Sequence, residues 1–209
     1  MAAGDITDAM VARIRERIGE VATSGLLDSE IISQLNRAQS HLATHLCDEA
    51  MPELKQTVEG NLTASQATLP SDFWRERLLT VAGVYANKVN VSELDNINDA
   101  SASNVYYYIW GATGNAVLVV EMGDPASTVA CKLWYMRYPT TVSTSVDPDF
   151  TEPNRWMLED FAVAECLRMR QRHAEAETVI ARYMTMIRTV NSRYRLGEQF
   201  EGHPGDPSS

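Results

Sequence analysis

Two histidines and a glutamate follow one another at helical spacing in the first quarter of the chain. His41, His45 and Glu49 stand at positions i, i+4 and i+8, with Cys47 between them. Two histidines one helical turn apart can bind one metal ion. The intervening sequence, HLATH, lacks the glutamate that zinc proteases place there as a general base. Because a histidine near a helix C-terminus is also favoured by the helix dipole, we predict no metal site.

A cysteine and two pairs of acidic residues are the other candidates for catalysis. Cys166 lies in an apolar helical run, where a cysteine is typically a small core residue. The sequence has no Gly-x-Ser-x-Gly motif for a serine nucleophile. The pairs Glu159–Asp160 and Asp147/Asp149 contain the carboxylates that acid–base catalysis uses, but such pairs are usually solvated. We therefore predict that the protein is not an enzyme and needs no cofactor.

The glycine-rich segment GATGN, residues 111–115, suggests a phosphate-binding loop at first sight. Such a loop needs Lys followed by Ser or Thr after its last glycine, and then a helix. Here Asn115 is followed by the apolar run Ala116 to Val120, which predicts a strand. The segment is therefore predicted to be a hairpin turn.

An aromatic run precedes this turn. Strand alternation places Tyr106, Tyr108 and Trp110 on one face and Tyr107 and Ile109 on the other. A platform that stacks nucleic-acid bases would need basic neighbours, which the sequence does not place here. We predict that these rings pack in a core or against a partner subunit.

Helical patterns at both ends of the chain must position these residues. Apolar spacing predicts a first helix from Asp5 to about Thr23, stopped by Gly25. A second helix runs from Asp28 as its cap to about Cys47, with Leu27 packing against Ile32 as a hydrophobic staple. The short link between them predicts antiparallel neighbours.

Two more helices are predicted near the C-terminus. The third is capped by Thr151 or Glu152, has Pro153 in its first turn and ends near Arg172. The fourth carries the clearest apolar stripe, formed by Ala176, Val179, Ile180, Tyr183, Ile187, Val190 and Tyr194. The sequence after it is rich in Gly, Pro, Ser and acidic residues and predicts a flexible tail.

The middle of the chain reads as short strands separated by turns. The predicted features are a strand–turn–strand with its turn at Gly60–Asn61, strands over Leu78–Tyr85 and Lys88–Val91, the aromatic hairpin, a turn at 123–125 and a last strand over Val129–Tyr138. This spacing is typical of an antiparallel sheet or small barrel.

The predicted fold is α+β, an antiparallel bundle of about four helices with an inserted antiparallel β module. The corresponding regions are 1–50 for the first helical pair, 51–140 for the β module, 141–196 for the second pair and 197–209 for the tail. The second helical pair is expected to pack on the first.

Charge and hydropathy limit the possible functions. The 209 residues carry a net charge of −10, although residues 153–195 hold eight arginines against five acidic residues. An acidic chain is not expected to grip DNA, although a local basic face on the last helices is possible. The longest apolar run is too short for a bilayer, and the N-terminus lacks the pattern of a secretory signal. Three separated cysteines indicate reduced thiols in a cytosol.

The order of these segments resembles that of head–tail connector, or adaptor, proteins of tailed bacteriophages. The resemblance begins with two N-terminal helices and continues through ATLPSDFWRERLLTV, residues 67–81. YYYIWGATGNAVLVV, LWYMRYP and a final helical pair follow in the same order. The likeness covers about Asp5 to Arg195, and the long acidic Pro/Gly tail departs from the usual pattern.

The resemblance implies a structural virion protein that forms a ring of about twelve copies between portal and tail. DNA would pass through the ring without specific binding, and no membrane would be involved. The resemblance implies a portal-facing set, Arg188, Arg193, Tyr194, Arg195 and Phe200. We assign a tail-facing set to the hairpin, Tyr107, Ile109, Trp110, Thr113 and Asn115. The alternatives are another neck or tail-tube component of the same fold, or a small metal-dependent hydrolase.

Overall fold

The computed structural model describes residues 4–20, 25–97, 100–101, 103–111, 116–122, 128–152 and 154–200. It has an α+β fold with four helices and a closed seven-stranded β-barrel. The chain divides into two compact units. One comprises Met1–Glu53 and Pro139–Ser209 and contains the helices, and the other comprises Leu54–Tyr138 and contains the barrel. We call them the helical unit and the barrel unit.

The helical unit is built around its third helix. The helices are α1 Asp5–Ile18, α2 Asp28–His45, α3 Asn154–Met169 and α4 His173–Phe200. Helix α3 packs against each of the other three and has 12 buried residues among its 16. A helix buried on nearly every side is the core of its unit, and this explains why its sequence shows only a weak amphipathic pattern.

Helix α1 begins at the predicted residue, Asp5, but it ends earlier than predicted because Gly19 adopts a left-handed conformation. Gly19, with φ 72°, ends the helix at Ile18 and donates its N–H to the Glu16 carbonyl. The predicted end at Thr23 is therefore wrong. At the other end Gly4 has φ 95°, and a Cβ there would lie 2.1 Å from the Thr144 carbonyl oxygen. A side chain at position 4 would clash with that backbone.

The start of α2 also differs from the prediction. Its N-cap is Leu27, whose N–H donates to the Glu30 carboxylate at 2.6 Å. Asp28 is the first helical residue and pairs with Arg15 at 2.6 Å instead of capping the helix. Leu27 is 66% exposed, so it does not form the buried staple with Ile32. The third helix is shorter than predicted, and Gln171, at φ 58°, separates it from α4.

A distant aspartate caps α1 in the absence of a local side-chain cap. Asp147 Oδ1 accepts hydrogen bonds from the Thr7 N–H at 2.9 Å and the Thr7 hydroxyl at 3.2 Å. Burial opposes ionisation of Asp147, but the N–H groups of Thr7, Gly4 and Ile6 and the Thr7 hydroxyl lower its pKa. Asp147 therefore has a structural role as a helix cap, and this replaces its interpretation as a candidate catalytic carboxylate.

We predict that Asp147→Ala lowers the free energy of unfolding by about 1 kcal/mol near neutral pH, because the α1 amides lose their acceptor. The folded-state pKa is depressed, so this stabilisation is present above the unfolded pKa near 3.8 and is lost as the pH falls through the folded value. Urea unfolding of wild type, Asp147→Ala and the neutral control Asp147→Asn at pH 7 and pH 3 would measure this. A difference between wild type and Asp147→Asn that grows on acidification would contradict it.

The barrel unit closes in the strand order β1-β2-β6-β5-β4-β3-β7. The strands are β1 Lys55–Thr63, β2 Gln66–Thr68, β3 Phe73–Val81, β4 Val84–Lys88, β5 Val105–Trp110, β6 Val117–Glu121 and β7 Thr128–Arg137. Inward side chains such as Leu79, Val105, Val120 and Leu133 fill the interior. Strand β7 is central, since it pairs with every residue of β1 on one side and with β3 on the other.

Several predicted turns and strands of this unit are wrong. Gly60 and Asn61 lie within β1, and the turn falls at Ala64–Ser65, where both residues have positive φ. The predicted strands over Leu78–Tyr85 and Lys88–Val91 are replaced by β3 and β4, which meet at a turn containing Ala82 and Gly83. The sheet is also not purely antiparallel, because β4 and β5 pair in parallel.

Candidate assembly surfaces

The apolar stripe of α4 becomes exposed to solvent near the C-terminal end of the helix. Tyr183 and Ile187 are 1% and 4% exposed, whereas Tyr194 on the same stripe is 42% exposed. Val190, Arg193 and Tyr194 form one wall of a cleft of about 370 Å³. The other walls are Ala50, Pro52, Glu53, Thr151, Glu152 and Asn154. The described part of the helical unit therefore leaves an amphipathic cleft open at this place.

Most arginines of the helical unit are already matched to carboxylates of the same unit. The pairs are Arg13–Glu159, Arg15–Asp28, Arg17–Asp160, Arg37–Glu165, Arg168–Glu165, Arg170–Glu20, Arg172–Glu175 and Arg182–Asp160. Arg188 and Arg193 are exposed, and neither forms an ion pair with any residue that the structure describes. These two charges are available to a partner.

The rest of the predicted portal-facing set lies further along the same helix. Tyr194 borders the cleft, as described above. Arg195 and Phe200 belong to the α4 backbone, but their side chains lie outside the described residues. The structure thus brings Arg193 and Tyr194 together at the cleft, with Arg188 earlier on the same helix.

The predicted tail-facing residues have different environments. Tyr107 is 4% exposed within the barrel core, and burial raises the pKa of its phenol to about 12. Ile109 packs partly against the same core, whereas Trp110 is 61% exposed. Thr113 and Asn115 lie outside the described residues. Of the described members, Trp110 alone presents a large exposed surface.

Trp110 lies on the outer side of strand β5. In the antiparallel register of β5 and β6, Trp110 lies opposite Val117 and Tyr108 lies opposite Val119. Side chains at these positions share the outer face, since Tyr107 between them points inward. The predicted alternation of the aromatic run is confirmed by the burial of Tyr107.

The two histidines pack against aromatic rings of the helical core. His41 and His45 are stacked with ring centroids 3.9 Å apart and planes 9° apart. His41 Nδ1 lies 2.7 Å from the Tyr183 hydroxyl, and His45 Nδ1 lies 2.8 Å from the His41 carbonyl. Burial, and secondarily His45, lowers the pKa of His41. In parallel stacked rings the remaining ring nitrogens do not converge on one ion, and Glu49 lies beyond the end of α2.

The remaining catalytic candidates also have structural contacts. Glu159 and Asp160 are 2% and 5% exposed and are held by arginines, so the expectation that they are solvated is wrong. Asp149 accepts a hydrogen bond from the Thr140 backbone. Burial raises the pKa of the Cys166 thiol to about 12, which disfavours the thiolate a nucleophile needs. Among the described residues, no three potential metal ligands cluster.

Sequence reasoning misses Glu53, which lines the cleft beside α4. Its Oε1 accepts a hydrogen bond from the Thr151 N–H at 3.0 Å, while Oε2 is buried without a hydrogen-bond partner among the described residues. The only local signal in the sequence is Pro52, which indicates a turn. It does not predict that Glu53 lines a cleft.

Both units thus carry exposed large apolar side chains, Tyr194 in the helical unit and Trp110 in the barrel unit, of the kind that contact other proteins. The profile of the SU10 adaptor protein family matches residues 3–201. The chain belongs to this family and is a phage head–tail adaptor. None of the curated proteins matches the sequence. Among the described helices, none combines the length and hydropathy needed to cross a bilayer.

Proposed function

We propose that this adaptor forms a ring of about twelve copies between the portal and the tail of the virion. The cleft beside α4, with Arg188, Arg193 and Tyr194, is the portal-facing surface. This proposal rests on a difference between the arginines of the helical unit. Eight arginines are paired internally, whereas Arg188 and Arg193 are exposed and have no ion pair among the described residues.

The chemistry of this surface favours a protein partner with carboxylates and an apolar side chain. Arginine forms planar, paired hydrogen bonds with carboxylates, and an exposed tyrosine gives apolar area at low entropic cost. Helix α3 covers the apolar stripe of α4 on the N-terminal side of Val190. A partner that inserts an apolar side chain beside Val190 and Tyr194 would cover the part of the stripe that is left exposed. Arg195 and Phe200 stay in the proposed set, because they continue the same helix.

The charge of the chain supports DNA passage without specific binding. The net charge is −10, and most arginines of the helical unit are neutralised by neighbouring acids. DNA carries about one negative charge per 1.7 Å, so acidic walls repel it over about 8 Å at physiological salt. In a narrow channel such repulsion prevents DNA from adhering during ejection.

The outer face of the hairpin is the proposed tail-facing surface. Trp110 is its central residue, and Thr113 and Asn115 stay in the proposed set, whereas Ile109 lies on the inward side of β5 and packs partly against the barrel core. Tyr107 is better assigned to the barrel core because of its burial. An exposed tryptophan flanked by valine and tyrosine is typical of residues that dominate binding energy at interfaces.

Further parts of the proposal concern the fold and location. The four helices form an antiparallel bundle, and the β module is inserted in the sequence between the two helical pairs. The protein is assembled in the host cytoplasm and becomes part of the virion. The alternative is another neck or tail-tube component with the same fold.

We predict that the double variant Arg188→Glu/Arg193→Glu binds the portal at least about tenfold more weakly than wild type, because two attractive charges become repulsive. Electron microscopy of mixtures with purified portal should show an added ring for wild type. Surface plasmon resonance would give the affinities. Lys55→Glu, a charge reversal at an exposed position of the barrel unit, is the matched control and should bind the portal normally.

Two results would count against the proposal. If wild-type protein adds no ring to the portal but binds the tail tube, the tail-tube alternative is correct. If the double variant and Lys55→Glu bind the portal equally well, the portal-facing surface lies elsewhere.

A further inference from the structure

The segment directly after α4 is acidic. Residues 201–209, EGHPGDPSS, contain the two carboxylates Glu201 and Asp206 and no Lys or Arg. Two acids and no bases, with the histidine neutral, give a charge of −2 near neutral pH. Two of the remaining residues are prolines. We call residues 201–209 the acidic segment, and they lie outside the described residues.

The last described turns of α4 carry the opposite charge. Arg188 and Arg193 are exposed, and neither forms an ion pair with a described residue. Tyr194 beside them is 42% exposed and borders the cleft of about 370 Å³. Proline rings dock against aromatic side chains at low entropic cost, because their backbone is already restricted. The acidic segment thus contains both kinds of group, carboxylates and prolines, that this surface is suited to bind.

The acidic segment is long enough to return to Arg193. Helix α4 ends at Phe200, and a helical rise of about 1.5 Å per residue puts Arg193 about 10 Å back along the axis. Gly202 stands two residues beyond the helix, at the position where a glycine commonly reverses the chain. From Gly202 to Asp206 an extended chain spans about 13 Å. Asp206 can therefore lie beside Arg193 of the same chain.

We propose that the acidic segment folds back on the portal-facing surface of its own chain and covers it until the portal displaces the segment. Asp206 pairs with Arg193, a proline packs against Tyr194, and Glu201 adds negative charge near the end of α4. The regulatory role rests on the proposed function of the cleft. The fold-back contact rests only on the charges and distances within this chain.

A contact of this kind is weak, but its tether favours it. A single exposed ion pair contributes little on its own, and salt screens it. A short link between two groups, however, gives them an effective concentration in the millimolar range. The contact is therefore populated in the free adaptor, and a partner with several carboxylates can still displace it. Because segment and surface belong to one chain, the population does not depend on the adaptor concentration.

Arginine side-chain NMR tests the fold-back contact without the portal. The Nε–H signal of Arg193, identified with Arg193→Lys, is compared in wild type and in the full-length variant Glu201→Gln/Asp206→Asn. We expect the signals to differ at low ionic strength and to coincide at about 1 M salt, where the screening length is about 3 Å. Ser208→Ala/Ser209→Ala, which changes the same segment but not its charge, is the matched control and should resemble wild type.

Two NMR results would overturn the fold-back contact. One is an Arg193 signal that is the same in wild type and in Glu201→Gln/Asp206→Asn at low ionic strength. The other is a difference that grows with protein concentration, because the acidic segment would then bind a neighbouring copy.

Portal binding, measured by surface plasmon resonance, tests the regulatory role. A cover that is populated in about two thirds of the molecules lowers the apparent affinity about threefold, so Glu201→Gln/Asp206→Asn should bind the portal about threefold more tightly than wild type. In an Arg193→Gln background the same two substitutions should not change the affinity, because their partner is gone. Unchanged or weaker portal binding by Glu201→Gln/Asp206→Asn would overturn the regulatory role.

The outcomes distinguish this inference from the proposed function. If wild-type protein shows the Arg193 difference but never binds the portal, the proposed function is wrong and the fold-back contact stands. If wild-type protein binds the portal while its Arg193 signal matches that of Glu201→Gln/Asp206→Asn, the proposed function stands and this inference is wrong.

Discussion

Replacing Arg13 with methionine is expected to lower the free energy of unfolding by about 3 kcal/mol. The reason is the burial of Glu159, which is 2% exposed and receives two hydrogen bonds from Arg13, one of them from Nε at 2.9 Å. This hydrogen bond is also the main reason why the pKa of Arg13 is raised. Without the arginine, a buried carboxylate on α3 would have no cation, and removing one partner of a buried pair is strongly destabilising.

Urea unfolding of three variants would test this expectation. Arg13→Met should show the loss, and the double variant Arg13→Met/Glu159→Met should recover most of it, because apolar pairs often replace buried ion pairs without cost. Arg13 is 43% exposed as a side chain, so part of its charge remains hydrated in the wild type. Equal stability of Arg13→Met and wild type would show that water, rather than arginine, compensates Glu159.

The second large effect is expected at Tyr183, where alanine should cost about 4 kcal/mol of unfolding free energy. Tyr183 is 1% exposed, stacks edge-on against Phe161 and contacts the His41 ring nitrogen. Burial raises the pKa of its phenol, so the ring is neutral throughout the ordinary pH range. Removing it opens a cavity between α2, α3 and α4.

Tyr183→Phe is the matched control, since it keeps the ring and removes only the hydroxyl. It should cost about 1 kcal/mol, the usual net value of one hydrogen bond. Thermal unfolding followed by circular dichroism would give both values. A similar loss for Phe and Ala would mean that the hydrogen bond to His41, and not ring packing, stabilises this part of the core.

Features with a local cause could be predicted from the sequence. The alternation of Tyr106 to Trp110 follows from the two-residue period of a strand, and the structure confirms it by burying Tyr107. The apolar stripe of α4 likewise predicts that Tyr183 and Ile187 are buried, as they are in the structure. Side-chain period is a property of one segment and needs no knowledge of its neighbours.

Turns built from unexpected residues could not be predicted. Ala64, Ser65 and Ala82 all have positive φ, a conformation that usually selects glycine or asparagine. The sequence therefore predicts a turn at Gly60–Asn61, and this pair lies inside β1. The parallel pairing of β4 with β5 could not be predicted either. It depends on the long connection between the two strands and not on the sequence of either strand.

The environment of the acidic residues on α3 has no signature in the nearby sequence. Glu159 and Asp160 are buried because Arg13, Arg17 and Arg182 come from other helices to meet them. The portal-facing and tail-facing sets remain predictions, since their partners lie outside the chain. What the structure adds is the sorting of their members, with Tyr107 in the core and Trp110 and Arg193 exposed.

The central position of α3 has a consequence for protein synthesis. Helices α1 and α2 leave the ribosome first, but the helix on which they pack is translated only after the whole barrel. A nascent chain therefore holds two unsupported N-terminal helices until its last quarter appears, and domains fold only once their parts are present. Prematurely terminated chains would therefore lack a folded helical unit.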